Sequence, residues 1–342
     1  MCFGGSVGWA LVIQCIEYYL IMFLAADRGM AGRRQDHMKL YMAPMEGYTN
    51  YVYRNIYRKY FYDFDKYFTP FIATNKKASL NSKELRDIRP EDNQNLTIIP
   101  QLMTNNAEDC LATCKRIQSL GYQEVNINMG CPSGTVTNKG RGAGMLYDTD
   151  KLKAFLEGLF EGQPSLKISV KTRLGRYEAE EFYPILEIYN EYPLEELIIH
   201  PRTREDYYGN VPDLTVFGEA MKLSRNPVCY NGDIFTKQDY DDLLGRFPAV
   251  DKIMLGRGII GNPGLAEEIM NETETDRKRV KDFHDELLAA YSSLLSGDTN
   301  ILYKMKSFWV YMGDFYCDER TAKKIKKVKH LEEYRSVVEG IW

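Results

Sequence analysis

Short apolar runs recur along most of this chain, each bounded by polar or turn-forming residues, with longer stretches of helical spacing between them. The runs at 40–43, 66–72, 96–102, 124–128, 166–172, 196–200, 227–231 and 252–255 read as strands. They show little alternation of apolar and polar residues, as expected for strands of a parallel sheet buried on both faces. Between them, Asn106 is placed to cap a helix with the inner stripe Cys110, Leu111, Cys114 and Ile117, stopped at Gly121. Leu152, Phe155, Leu156 and Leu159 form a second stripe. Thr236 and Asp239 have the spacing of a capping box, for a helix ending at Gly245. This alternation over residues 39–274 fits a (β/α)8 TIM barrel, with a doubly wound open sheet as the competing arrangement.

From residue 277 the pattern changes. Val280, Phe283, Leu287, Leu288, Tyr291 and Leu294 repeat at helical spacing, further helices follow, and no strand is evident. The expected organisation is therefore α/β: a barrel over 38–276, then a small all-helical domain over 277–342. The first 37 residues carry no barrel-like pattern. Trp9 to Ala26 is mostly apolar but interrupted by Gln14 and Glu17, with no basic residue before it. That argues against a signal or anchor. Residues 1–37 read as an extension upstream of a working start at Met38, with an amphipathic membrane helix as the alternative.

Composition narrows the function. A net charge of −4 excludes a uniformly basic nucleic-acid coat but leaves room for a local patch. From Arg277 onward 13 Lys+Arg stand against 10 Asp+Glu, and residues 323–329 form the densest basic run. Seven cysteines without a CxxC pair, and four scattered histidines, give neither a disulfide framework nor a zinc site. A reducing, cytoplasmic setting is expected, without stable membrane association.

In a barrel, chemistry sits at the C-terminal ends of the strands. Those ends here carry Pro44-Met45, Gln101, Asn128 leading to Cys131, Lys171-Thr172-Arg173, His200 with Arg202, Asn231-Gly232-Asp233 and Gly256-Arg257. Glycines after the last two strands let backbone N–H groups approach an anion, and Arg257 adds a charged fork. These parts suit a flavin mononucleotide. Its phosphate would lie on Gly232, Gly256 and Arg257, with Asn231 and Asp233 alongside, and its ring against Pro44 and Met45. Gln101 and His200 would serve the pyrimidine edge, and Lys171 would place positive charge near N1. Cys131, held by a Gly-Cys-Pro turn just past a strand end, is the candidate proton donor.

The segments MAPMEGYTN, NINMGCPSGTVTNKGRGAGMLY, SVKTRLG, HPRTREDYYG, NGDI and MLGRGIIGNP occur in that order. Together they resemble the bacterial-type tRNA-dihydrouridine synthases, from Met38 to the C-terminus. The resemblance implies FMN as cofactor, NADPH as reductant, and reduction of particular tRNA uridines to 5,6-dihydrouridine. It assigns Cys131 to the catalytic cysteine, and Pro44, Met45, Gln101, Lys171, His200, Asn231, Gly232, Gly256 and Arg257 to flavin contacts. Asn128 and Arg173 fall near the uracil. Arg202, Lys323, Lys326 and Lys327 are the further candidates for contacting tRNA, and a monomer is expected. The competing readings are a flavin barrel acting on a free pyrimidine, as in dihydroorotate dehydrogenases, and a tRNA-binding protein without catalysis.

Overall fold

The computed structural model of the protein describes residues 38–162 and 165–342. The expectations for residues 1–37 lie outside them. The strands form where the apolar runs are: β1 is Lys39–Met42, β4 Glu124–Met129, β5 Lys167–Thr172, β6 Leu197–Ile199, β7 Val228–Tyr230 and β8 Lys252–Leu255. Two strands differ from the continuous runs expected. β2 is split into Lys66–Phe68 and Ile72–Ala73, and β3 into Ile98–Ile99 and Gln101–Met103. Pro70 and Pro100 sit in the two breaks, and neither has an N–H to donate to the ladder. The Thr69 hydroxyl takes the Gln101 N–H at 3.1 Å and bridges the gap.

All pairings recorded are parallel. The sheet closes through its broken strands: Tyr67 pairs with Ile98 and Ile72 with Leu102, while the Ala43 N–H donates to Leu255 O at 2.8 Å to join β1 to β8. A closed parallel barrel with helices between its strands results. The doubly wound alternative, which would leave sheet edges open, is not what forms.

The barrel interior is divided. On one side Tyr41, Ala43, Phe68, Ile99, Ile198, Cys229 and Met254 pack as a buried apolar cluster, with Met45 resting on it. On the other, β3, β4 and β5 turn Gln101, Asn126 and Ser169 inward, all nearly without solvent contact. The expected helix caps form: Asn106 accepts from Asp109 N–H, and Thr236 with Asp239 makes the capping box. Gly245 does not end its helix, which runs Lys237–Arg246 and is capped by Phe247.

The barrel is followed by helices Arg277–Leu294, Asp298–Tyr316, Glu319–Lys327 and Leu331–Glu339. Leu40–Trp342 is one compact unit. The helical region shares an aromatic seam with the barrel helix Tyr51–Tyr60: the Phe283 ring lies 5.3 Å from Phe61 and 5.6 Å from Tyr53, and Tyr53 stacks on Phe308. Among the described residues no helix is long and apolar enough to cross a membrane. Removing the Phe283 ring should therefore destabilise barrel and tail together. Phe283→Ala is predicted to cost ~3–5 kcal/mol within a single denaturant transition. Two separated transitions, with only the later helices affected, would contradict the shared seam.

Candidate active site

Strand β4 ends at Met129, and the chain turns at once into Gly130-Cys131-Pro132. The Asn128 side chain makes that turn. Its Oδ1 accepts from the N–H groups of Gly130 (3.1 Å) and Cys131 (2.9 Å), and its Nδ2 donates to Gln101 Oε1 at 2.7 Å. The glycine-rich segment then folds back over the cysteine, with Ala143 N–H donating to Cys131 O at 3.0 Å. Gly142 permits this approach. It has φ +57°, and a Cβ there would lie 2.8 Å from Cys131 O.

Cys131 opens into a cleft at the barrel mouth with a volume of about 240 Å³. Pro44 and Met45 from the loop after β1, and Lys171 and His200 from the ends of β5 and β6, line the same cleft. An adjoining cleft continues over Asn231, Gly232, Asp233, Gly256 and Arg257. The geometry thus brings most of the strand-end candidates together.

The electrostatics of the cleft are distinctive. Burial pushes the Cys131 thiol above its usual range, so it stays protonated near neutrality. Lys171 is lowered to about 8, by burial first and then by the charge of Arg173. Among the described residues it has no hydrogen-bond or ion-pair partner, leaving a bare ammonium in the pocket for an anionic or carbonyl-rich ligand. His200 lies well below its usual value, chiefly through burial and then the neighbouring cations. Arg202 Nη1, which can only donate, lies 3.0 Å from His200 Nε2. That contact makes Nε2 the acceptor and leaves Nδ1 protonated in a neutral ring.

Several candidates occupy places the sequence alone did not suggest. Arg202 does not reach the cleft: its guanidinium is buried and committed to Asp233 (2.5 and 2.9 Å) and to Asn210 O. Asp233 also pairs with Arg257, so its carboxylate orients two guanidinium groups. Gln101 sits beneath the cleft with both amide atoms engaged, by Asn126 (2.8 Å) and Asn128 (2.7 Å). Asn231 lines the second cleft while its amide donates to Met254 O at 2.8 Å. Arg173 forms a wall of the first cleft but donates to Gly130 O, Thr203 O and Tyr207 O, tying the cysteine loop to the loop after β6.

Glu46, Phe71 and Tyr208 line the cleft without having been singled out from the sequence, and so do Tyr48 and Tyr311. The rings of the last two meet at 5.5 Å and bring the helical region into the wall of the cleft. Tyr311 sits in a helix far along the chain, where only a fold could reveal its role. Lys304 from the same helix donates to Gly47 O and lies under the rings of Tyr291 and Phe308, each 4.7 Å away. Lys323, Lys326 and Lys327 stand exposed on Glu319–Lys327, with Ile325 as that helix's buried anchor. Lys323 pairs with Glu319 at 2.6 Å.

Lys171 yields a pH-dependent prediction. Between about 8 and the ordinary lysine value of 10.5 the unfolded chain holds a proton that the folded, ligand-free protein has released. Stability should rise with pH across that window and show no Lys171 contribution to its slope below it. Denaturation at a series of pH values should show this rise, and Lys171→Met should remove it. An identical slope in the variant would contradict the assignment.

The dihydrouridine synthase family profile matches residues 41–333. A probable tRNA-dihydrouridine synthase of Staphylococcus aureus is 30% identical over 238 residues, 66% of this chain and 70% of that protein. A tRNA-dihydrouridine(16) synthase of Shigella flexneri is 29% identical over 297 residues, 83% of this chain and 91% of that one. Among solved structures, the old yellow enzyme homologue of Zymomonas mobilis superposes with a TM-score of 0.51 at 11% identity, covering 72% of this chain and 92% of that one. At that identity the likeness concerns the barrel fold alone.

Proposed function

The chain belongs to the dihydrouridine synthase family, and from that premise we propose that it reduces the C5=C6 bond of specific uridines in tRNA, using FMN and NADPH. The reading is carried by one observation: a protonated, half-buried thiol shares a cleft with an ammonium that has no partner among the described residues. These residues fit FMN. Lys171 would offer charge to its pyrimidine edge, and Arg257 with the glycine backbone at Gly232 and Gly256 would offer an anion cradle. Asn231, Gly232 and Asp233 complete the phosphate end, Asp233 by holding Arg257. His200 presents Nδ1–H, and Met45 carries the ring on the apolar interior of the barrel. Gln101 acts from below, through Asn128.

When bound and reduced, FMN would supply a hydride for C6 of a uracil that has left its stack. The C5=C6 π bond opens, and its electron pair takes a proton at C5 from Cys131 Sγ. The thiolate left behind regains its proton from solvent, and NADPH, oxidised to NADP⁺, restores the two electrons. This chemistry asks for a thiol rather than a thiolate, which burial provides. Asn128 and Arg173 fix the loop that presents the sulfur, and their remaining polar capacity faces the uracil carbonyls. The helical region is read as the tRNA-binding domain, with the exposed lysines of Glu319–Lys327 contacting phosphates. A cytoplasmic monomer satisfies these requirements.

Two experiments test the proposal. Cys131→Ala should retain flavin and its reduction by NADPH while dihydrouridine formation falls by ~10²-fold or more; full tRNA reduction would remove the thiol from the mechanism. Charge reversal at Lys326 and Lys327 should weaken tRNA binding and flatten its salt dependence by about two units of slope, with flavin content unaltered. Unchanged affinity would return these lysines to a solvated helix face.

A further inference from the structure

Around the cleft the loops after β5 and β6 present an unusual rim. Tyr177 is 58% exposed, Tyr207 43% and Tyr208 53%. Each has a guanidinium against its ring. Arg176 lies between Tyr177 and Tyr147, 4.5 Å from both ring centres. Arg204 lies 4.9 Å from Tyr207, and Tyr208 is flanked by Arg257 at 4.6 Å and Arg173 at 5.3 Å. Phenol rings and guanidinium groups are thus paired repeatedly on these two loops, and Tyr208 itself lines the cleft that holds Cys131.

The rim is a built feature. Arg204 N–H donates to Gly175 O at 2.9 Å and Glu205 N–H to Arg176 O at 3.1 Å, zipping the two loops together. Tyr207 is held at φ +48°, a costly conformation for a bulky residue. Arg173 pins it there by donating to its carbonyl at 2.6 Å. The exposed rings thus sit on hydrogen-bonded backbone.

We propose that this rim is a stacking track for the RNA bases that flank the reacting uridine; the inference rests on the tRNA-reductase reading above. A uridine drawn out of its stack leaves its neighbours without a stacking partner, an unfavourable step of a few kcal/mol. Aromatic and guanidinium planes beside the mouth replace the lost faces without regard to sequence. Phosphate contact is not what the rim offers. Glu178 and Glu180 are exposed beside Tyr177, and Glu205 neutralises Arg204 at 2.7 Å. The rim's contribution to affinity is therefore nearly independent of salt, unlike that of the lysines on Glu319–Lys327.

The test uses the full chain with its flavin and a tRNA transcript lacking dihydrouridine. Binding is followed by fluorescence anisotropy across a salt series. The double variant Tyr177→Ala, Tyr207→Asn, in which Asn tolerates the positive φ, should bind about tenfold more weakly or worse, with the salt slope unaltered. Tyr177→Phe, which keeps the ring, should bind like the parent chain. Parent-like affinity in the double variant would overturn the proposal. So would a loss in Tyr177→Phe equal to that of Tyr177→Ala, since the hydroxyl rather than the ring would then matter. The rate of flavin reduction by NADPH is read in the same preparations: a fall there with tRNA binding intact would make the rim a nicotinamide-nucleotide site and also overturn the proposal. Failure of the parent chain itself to bind or reduce tRNA would instead defeat the reading of function beneath it.

Discussion

The direction of one chain of hydrogen bonds inside the barrel governs where the reactive sulfur sits. At its base the Glu124 carboxylate can only accept, so Ser169 must donate to it (2.9 Å) and accept from Asn126 (3.0 Å). Asn126 Oδ1 is thereby free to take the Gln101 amide, Gln101 Oε1 takes Asn128, and Asn128 Oδ1 takes the two N–H groups of the cysteine loop. A carboxylate at one end and backbone donors at the other leave each amide a single orientation. Beneath it, Lys66 bridges Glu124 (2.8 Å) and Glu196 (3.1 Å), and the two carboxylates hold its ammonium charged against the cost of burial. The polar half of the interior thus aims Cys131, and the apolar half supports Met45.

The second dependence is on the helical region. Tyr48, Met45 and Gly47 lie on one short loop, and that loop is held from the helical side by Lys304, by Tyr311 and by Ser307 O, which accepts the Tyr48 hydroxyl at 3.4 Å. The Tyr291 hydroxyl also reaches Asn50, the cap of the barrel's first helix, at 2.8 Å. A helical region held in this way is at once part of the cleft wall.

Much of this was legible in the sequence because its causes are local. Short apolar runs, caps such as Asn106 and Thr236, and the turn at Gly130-Cys131-Pro132 are each decided within a few residues. What escaped depends on pairing across the fold. Pro70 and Pro100 break two strands that neighbour each other in the sheet, which shows only once the pairing is known. Arg202 is drawn to Asp233 and away from the cleft by a partner 31 residues distant. Gln101 is turned to Asn128 by a hydrogen-bond chain that ends on Glu124 of the neighbouring strand, and Tyr311 joins the site from a helix outside the barrel. Strand ends reveal which side chains are candidates; their partners decide which way each one faces.

With the flavin over Met45 and the thiol on the loop after β4, the proposed mechanism would have sulfur and flavin address opposite faces of one pyrimidine ring. The stereochemistry of reduction in heavy water tests it most directly, because both the thiol proton and the flavin N5 hydrogen exchange with solvent. The account predicts dihydrouridine carrying one deuterium at C5 and one at C6, trans across the bond. A cis product would place both donors on the same face and contradict it.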